Sequence, residues 1–415
     1  MIGRRRSGAE RTGAAPGAVP LLGYACVAAA VWLAWEVVKI PVVERAGPAV
    51  AVRLAPGSPE VLGAAAEVEF AAQRYDNARA LSEESLRRAP FSARALRVRG
   101  LVEARGGEPA RADSLLTLAG NWSLRDGPAH AWLTEHRLRM GDYGSAFAHA
   151  DTLARRRPDL YPQLFNLFTT AALSDPRSLP HLTRLLAAFP PWRPEYLNSL
   201  HARADGDPLL ANLALGLQKS QRPFTDAELG HLYRMWASEG RYPGIRFLRA
   251  ELRRPPPDEA LQNADFSEEA APDFLPFQWR LAVSPGVSAQ LMEDDLGENG
   301  RALRVEHDGK RGSVLAEQLV VLDGGPHVLS GVWRHETPSP GGAVKWNVVC
   351  AETGRSIGSI PTEGAQVAET EWRSWRLTLD VPATDCSAQW IRLEAEAGGS
   401  SDAATIWFDN LRISG

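Results

Sequence analysis

The sequence is poor in cysteine, in net charge and in the short motifs of the common enzyme classes. It contains three cysteines in 415 residues, and its formal net charge is -4. No GxSxG, HExxH, P-loop or GxGxxG motif stands in the strand and helix setting that its chemistry requires. The near balance of acidic and basic residues excludes a chain-wide basic surface of the kind that binds nucleic acid. We therefore expect a protein that is not an enzyme and does not bind nucleic acid.

The N-terminus combines a basic tail with a long apolar run. Four arginines lie in residues 1–17, and residues 18–35 carry no charge. Because about 20 apolar residues cross a bilayer, we predict a transmembrane helix over residues 18–40. The basic tail would then stay in the cytoplasm, with the rest of the chain on the opposite side. A cleaved signal peptide is the alternative, since AAA at 28–30 resembles a cleavage site. The run continues past it as WLAWEVV, which favours the anchor.

Two cysteines lie in the C-terminal part of the chain. Cys26 falls in the apolar run, which leaves Cys350 and Cys386. If this part lies outside the cytoplasm, the two thiols are natural disulfide partners. Two buried, unpaired thiols are the alternative. Neither cysteine has a CxxC partner or a flanking histidine, so the sequence does not favour a metal or redox site.

A repeat of 34 residues organises the region that follows the apolar run. Ala78, Ala112 and Ala146 are spaced 34 residues apart. Each is accompanied by residues at fixed offsets of three and five before it and twelve after it: Tyr75, Pro109 and Tyr143; Gln73, Gly107 and Gly141; Pro90, Leu124 and Pro158. The pattern of a small residue at a helix crossing, a turn residue and a terminating proline resembles the tetratricopeptide repeat.

A weaker copy of the repeat appears later, with Gly240, Tyr242 and Ile245 at the turn and crossing positions. We therefore predict an all-α solenoid over residues 47–257, built from five or six helical hairpins. Stacked hairpins of this kind leave a concave groove. The resemblance implies that the groove binds protein partners.

The helical pattern stops at PPPDEALQ, residues 255–262, which acts as a stiff connector. After it, apolar and polar residues alternate in short runs separated by turns, such as ALRVEH, AVKWNVVC and WRLTLDV. Short strands at this spacing predict an antiparallel β sandwich over residues 258–415.

Five segments of this region, in this order, resemble carbohydrate-binding modules of the jelly-roll, galactose-binding-like kind: NADFSE, PFQW, EQLVVLDGGPHVLSGVWR, EWRSWRLTLDVP and IWFDNLRIS. The resemblance implies a glycan ligand. Sugars stack on flat aromatic faces beside a few fixed polar groups. The candidate ligand-binding residues are Trp279, Trp333, Trp372 and Trp407, and core packing of these rings is the alternative.

The resemblance also implies a structural calcium ion, held by Asp409 with Asp265 or Glu268 as partners, since Ca²⁺ prefers carboxylate oxygens. Capping of a turn by Asp409 and the neighbouring Asn410 is the alternative.

Together these segments predict a multidomain chain: a transmembrane helix, a tetratricopeptide-type solenoid and a jelly roll. This combination is similar to accessory proteins of bacterial exopolysaccharide systems. The resemblance implies a scaffold anchored in the bacterial inner membrane, with the bulk of the chain periplasmic, that binds protein partners and polysaccharide. One alternative is a protein-only assembly scaffold whose sandwich is a structural cap without a ligand. Another is an enzyme with its site between the domains.

Overall fold

A computed structural model describes most of the chain. The described residues are 27–34, 47–201, 203, 206–255, 260–269, 274–295, 300–339, 341, 343–397 and 403–415. The chain forms two compact units, Met1–Leu160 and Tyr161–Gly415. Its helices precede its strands, so a helical region is followed by an antiparallel β sandwich, as the sequence predicts.

The predicted basic tail lies outside the described residues. Of the predicted membrane segment, the structure describes residues 27–34, which are helical with exposed side chains. Within the described ranges, no helix combines the length and the apolar character needed to cross a bilayer. The membrane anchor stays a prediction.

The first unit is helical, and helices that are neighbours in sequence pack on each other. The helices described there are α1 (Pro48–Leu54), α2 (Pro59–Ala71), α3 (Tyr75–Arg88), α4 (Ala93–Arg105), α5 (Pro109–Trp122), α6 (Gly127–Arg139) and α7 (Tyr143–Ala154). Polar side chains cap several of their N-termini. Ser92 accepts a hydrogen bond from the Ala95 amide, and Asp126 accepts one from Ala129.

The 34-residue repeat marks the same local structure each time. The three repeat alanines are fully buried. The turn residues five positions earlier all have left-handed backbone: φ is 61° at Gln73, 83° at Gly107 and 73° at Gly141. Glycine adopts this conformation without steric cost, whereas Gln73 does not. The repeat therefore identifies a turn and a buried crossing residue in each copy, while the assignment to a tetratricopeptide solenoid stays a prediction.

The second unit begins with further helices and ends with the sandwich. Its helices are α8 (Tyr161–Ser174), α9 (Leu179–Ala187), α10 (Arg193–His201), α11 (Gly206–Gln218), α12 (Asp226–Ser238) and α13 (Tyr242–Leu252). The last two pack against the sandwich. The Phe277 ring meets the Tyr233 ring edge to face at 5.1 Å, and the Arg249 guanidinium lies 5.2 Å from the centre of the Phe277 ring. Arg246 also donates to the Leu322 carbonyl at 2.8 Å.

The sandwich consists of two antiparallel sheets. One sheet has the order β1-β5-β10-β7-β8 and the other β2-β3-β4-β11-β6-β9. The strands are β1 (Arg280–Leu281), β2 (Val283–Ser284), β3 (Val287–Glu293), β4 (Arg301–His307), β5 (Ser313–Val320), β6 (Gly325–His335), β7 (Val344–Cys350), β8 (Ser356–Pro361), β9 (Arg373–Val381), β10 (Gln389–Ala395) and β11 (Ala404–Ser414). Alternate residues of each central strand enter the shared core, as in Ile391 and Leu393 of β10.

The predicted disulfide is confirmed. Cys350, at the end of β7, is bonded to Cys386, which precedes β10. Both cysteines are buried in the sandwich core. Since β7 and β10 are paired in one sheet, the bond joins the ends of neighbouring strands.

Candidate functional site

The outer face of the five-stranded sheet carries an aromatic ring beside a cluster of charges. In β10, Ile391 and Leu393 point into the core, so Trp390 and Arg392 lie on the opposite face. Arg392 is paired across the ladder with Glu317 of β5, and Glu317 is paired with Arg280 of β1. The register of the sheet thus brings one carboxylate between two guanidinium groups.

The contacts of Glu317 fix both arginines. Arg392 donates from Nε to one carboxylate oxygen at 3.0 Å, and Arg280 bonds the other oxygen. The Arg392 guanidinium also lies 5.6 Å from the centre of the Trp390 ring, within the range of a cation–π interaction. These contacts hold the polar groups in place beside the half-buried indole.

A cavity of about 360 Å³ opens beside this cluster. Trp390 and Arg392 form its sheet wall, and Arg234 of α12 and Tyr242 of α13 form its helical wall, with Pro276 also lining it. Both walls belong to the second compact unit. The cavity falls within the size range of small-ligand sites, and it combines apolar walls with a few converging polar groups, as such sites do.

The same sheet face continues as a polar network. Asn347 of β7 donates to Glu394 of β10 at 3.1 Å and accepts a hydrogen bond from Ser356 at 2.7 Å. Asn347 is opposite Arg392 in the ladder, so the network adjoins the Trp390 cluster. Ser356 lies within GRSIG, which matches the letters of GxSxG. It stands at the start of a strand and bonds an amide, so it lacks the base and the helix that this nucleophile motif needs.

Two of the four predicted ligand tryptophans are core residues. Trp279 packs against Trp346 at 6.0 Å, and its indole nitrogen donates to the Asn263 carbonyl at 3.0 Å. Trp333 is stacked on Trp375 at 5.7 Å. Both Trp279 and Trp333 are buried in the sandwich core. The expectation that they present a ring to solvent is corrected, because their faces are already covered by other side chains.

Trp407 and Trp372 lie together on the outer face of the six-stranded sheet. The Arg334 guanidinium is 4.8 Å from the centre of the Trp407 ring and 5.2 Å from that of Trp372. Trp407 stands between Arg304 and Arg334 in the ladder, and the Arg304 guanidinium lies 5.8 Å from its ring. Trp407 is 7% exposed, so its ring faces are occupied by protein. Trp372 is half-buried.

An ion pair between Arg304 and Glu336 supports this stack of tryptophan rings and arginine side chains. Arg304 donates two hydrogen bonds to Glu336, at 2.7 and 2.9 Å, and the Trp407 indole donates to the same carboxylate at 2.6 Å. The bonds from Arg304 hold the pKa of the Glu336 carboxyl below its usual range, and those from Glu336 raise the pKa of Arg304. Arg334 is in turn paired with Asp294 at 2.6 Å. Because both arginines are held by carboxylates, we interpret these contacts as a structural feature of the sheet.

The carboxylates predicted to hold calcium have local partners. Asp265 accepts a hydrogen bond from the Ser267 hydroxyl at 2.9 Å, and Asp409 accepts one from the Asn410 amide at 2.7 Å. Asp409 is buried, whereas Glu268 is exposed. In the part of the chain that the structure describes, no group of three or more His, Cys, Asp or Glu side chains is arranged to hold a metal ion. The bonds of Asp265 are those of turn capping, whereas Asp409 lies inside β11, next to an irregularity in its pairing with β6.

Trp390 is the residue that sequence reasoning missed. Its strand reads QWIRLEA, in which Gln389, Ile391, Leu393 and Ala395 alternate with Trp390, Arg392 and Glu394. That alternation places the tryptophan on the same face as two charged residues, opposite the aliphatic core positions. The signal was therefore present in the sequence.

No protein-family model matches the chain, and no curated protein matches it. The β sandwich resembles carbohydrate-binding modules of known structure. A protein of Bacteroides thetaiotaomicron described as sugar binding is 9% identical, with 37% of this chain and 98% of that chain covered and a TM-score of 0.29. A family-61 module in complex with β-1,4-galactotriose is 16% identical, with 37% and 97% covered and a TM-score of 0.27.

A xylan-binding family-22 domain of Paenibacillus barcinonensis is also similar. It is 15% identical, with 36% of this chain and 90% of that chain covered and a TM-score of 0.27. Similarity at this level identifies neither a ligand nor the residues that bind it.

Proposed function

We propose that the β sandwich binds glycan on the outer face of its five-stranded sheet, in the cavity beside Trp390. The observation that carries the proposal is the half-buried Trp390 ring, which lines a cavity of about 360 Å³ next to fixed charged groups. The axial hydrogens of a pyranose stack on an indole face, while its hydroxyls need polar partners held in place. Trp390 supplies the stacking surface, and Arg392, held in place by Glu317, supplies a fixed polar partner.

The polar network beyond the cavity extends this surface. Asn347, Glu394 and Ser356 are already joined by hydrogen bonds. Groups that are ordered before the ligand arrives lose little conformational entropy on binding. The network therefore offers hydroxyl partners to a second sugar unit next to the one at Trp390.

For the whole chain, we propose a non-enzymatic scaffold anchored in the bacterial inner membrane, with its bulk in the periplasm. In this proposal residues 47–257 form a tetratricopeptide solenoid that binds protein partners, and the protein assists polysaccharide biosynthesis or export. The repeated buried alanines and left-handed turns support the solenoid. The Cys350–Cys386 bond supports an oxidising compartment.

A second candidate function is a protein-only assembly scaffold in which the sandwich is a structural cap. One observation favours it: Phe277 of the β region packs against Tyr233 of α12 and Arg249 of α13. A structural cap needs only this packing of the sandwich on the helices. The glycan-binding function also needs the neighbouring cavity beside Trp390.

Binding of soluble polysaccharides separates these two functions. We expect Trp390→Ala to weaken glycan binding at least about fivefold, since loss of an aromatic contact in a binding site costs more than ~1 kcal/mol. The measurement is isothermal titration calorimetry of the purified protein against a panel of neutral and acidic oligosaccharides. Trp372→Ala is the matched control, because Trp372 is also half-buried but lies on the other sheet. Equal affinities for Trp390→Ala and the unsubstituted protein would place the glycan elsewhere. If no oligosaccharide binds, the structural cap remains as the function of the sandwich.

The membrane anchor has its own test in bacterial cells. We expect the full chain to stay in the membrane pellet after a carbonate wash, and alkaline phosphatase fused after residue 46 to be active. The physical reason is the apolar run of residues 18–35 behind four arginines. Mass spectrometry of the N-terminus provides the control for cleavage. A soluble protein that begins after residue 30 would show that the segment is a signal peptide.

A further inference from the structure

We propose that the cavity beside Trp390 selects acidic glycans, and that it binds the carboxylate of a uronic acid through Arg280 and Arg392. This inference rests on the proposed glycan binding and names the class of sugar. It follows from the charges in the cavity wall, from their unequal exposure and from the type of surface that carries them.

Cationic groups outnumber anionic ones in the cavity wall. Arg234, Arg280 and Arg392 line it together with a single carboxylate, that of Glu317. Glu317 is shared by Arg280 and Arg392. One carboxylate cannot neutralise two guanidinium groups, so this cluster carries a net positive charge.

The positive groups are presented to the ligand and the negative one is hidden. The Glu317 side chain is 4% exposed, whereas those of Arg392 and Arg280 are 30% and 67% exposed. A guanidinium has five N–H donors in a fork that matches a carboxylate. Each arginine bonds Glu317 through one nitrogen and retains further N–H donors. Because both arginine side chains are more exposed than Glu317, an incoming anion meets them first.

The aromatic ring sets the second requirement on the ligand. Arg392 lies 5.6 Å from the centre of the Trp390 ring, so the cation is beside the flat apolar surface. A uronic acid has a pyranose ring for the indole and a carboxylate at the edge of that ring. It satisfies both features with one sugar unit, whereas a neutral sugar satisfies only the first.

An acidic peptide is less suited to this surface. Extended peptides bind by adding a strand to the free edge of a sheet. Trp390 and Arg392 lie on β10, which is paired with β5 on one side and β7 on the other. At Trp390 and Arg392 the cavity wall is thus the face of a strand that is paired on both sides, and a face suits a stacked ring. Arg280 lies on the edge strand β1, which has only two residues.

The test compares trimers of galacturonate, mannuronate and glucuronate with their methyl esters, using calorimetry on the full chain. Esterification removes the charge and keeps the ring. We expect at least one acid trimer to bind about tenfold more tightly than its ester, with an affinity that falls as salt concentration rises. Arg392→Gln is expected to weaken binding of the acid more than binding of the ester, so that the preference for the acid is lost.

Arg280→Gln provides a second variant, because Arg280 is more exposed and its loss leaves Arg392 bonded to Glu317. Arg376→Gln is the charge-matched control: Arg376 is exposed on β9 of the other sheet, and we expect its loss to change nothing. Equal binding of acids and esters would overturn the acid preference and leave the proposed glycan binding intact. Failure of all acids and esters would overturn the acid preference, and failure of the neutral oligosaccharides as well would overturn the glycan binding. Binding of poly-glutamate peptides in their place would assign the cavity to acidic peptides.

Discussion

Replacing Arg193 with alanine is expected to destabilise the second unit by about 3 to 5 kcal/mol, the range for removing the buried partner of an ion pair. Arg193 is fully buried at the start of α10. Its guanidinium donates to the Leu186 and Arg222 carbonyls at 3.0 and 3.1 Å. It also donates to the Pro223 carbonyl at 3.0 Å and to the Glu228 carboxylate at 2.7 Å.

The loss of Arg193 also affects helix α12, because Glu228 belongs to the first turn of that helix. The same carboxylate accepts a hydrogen bond from the Thr225 amide at 2.9 Å, and Thr225 in turn caps α12. Without Arg193, the half-buried Glu228 carboxylate loses its cationic partner and the carbonyl oxygens lose their donors. The rings of Phe189 and Phe224 also lose the cation that lies 4.9 and 5.5 Å from their centres.

The measurement is urea unfolding followed by tryptophan fluorescence, since Trp192 is buried next to the site. Arg177→Ala is the matched control. Arg177 also bonds a carboxylate, that of Asp175, but its side chain is 78% exposed, so its loss should change the free energy of unfolding by less than about 1 kcal/mol. Arg193→Lys is expected to lie between the two, because an ammonium cannot reach all four acceptors. Equal stability of the Arg193→Ala and Arg177→Ala variants would show that the buried contacts of Arg193 do not stabilise the second unit.

The second large effect concerns the disulfide. Replacing both Cys350 and Cys386 with alanine is expected to lower the free energy of unfolding of the sandwich by about 2 to 4 kcal/mol. The bond closes a loop over a sequence separation of 36 residues, and its removal lets the unfolded chain sample more conformations. Because both sulfur atoms are buried, the alanines also leave a small cavity.

Thermal unfolding with and without a reducing agent checks this effect. The reduced, unsubstituted protein should approach the double variant, and reduction should not change the double variant. Cys26→Ala is the control, since this cysteine falls in the predicted membrane segment and takes no part in the bond. If reduction lowers the stability of the double variant as well, the bond does not account for the effect.

Local periodicity predicted the elements of this fold, but it predicted the exposure of side chains less well. The 34-residue spacing identified buried Ala112 and the left-handed Gly107, because both depend on a turn within one hairpin. Trp279 and Trp333 were expected to face solvent and are core residues. Burial of these rings depends on which distant strands cover them, and the sequence pattern does not contain that information.

The cavity beside Trp390 also depends on contacts between distant parts of the chain, which the sequence pattern does not show. Alternation in QWIRLEA assigns Trp390 to the outer face of its strand, which is a local property. Whether that face is open or walled depends on Arg234 and Tyr242, which belong to helices far away in the chain. The Arg193 network could not be predicted either, since a single arginine at the start of a helix gives no sign that four acceptors converge on it.

The packing of α12 and α13 against the sandwich has a mechanical consequence. A sugar that touches both Tyr242 and Trp390 binds only while the two walls are together. By linkage, such a ligand at one hundred times its dissociation constant adds about 2.7 kcal/mol to their association. A fragment that begins at residue 258 would lose this coupling with the helical wall. In the intact chain, the proposed polysaccharide ligand would therefore hold α12 and α13 more firmly against the sandwich as its local concentration rises.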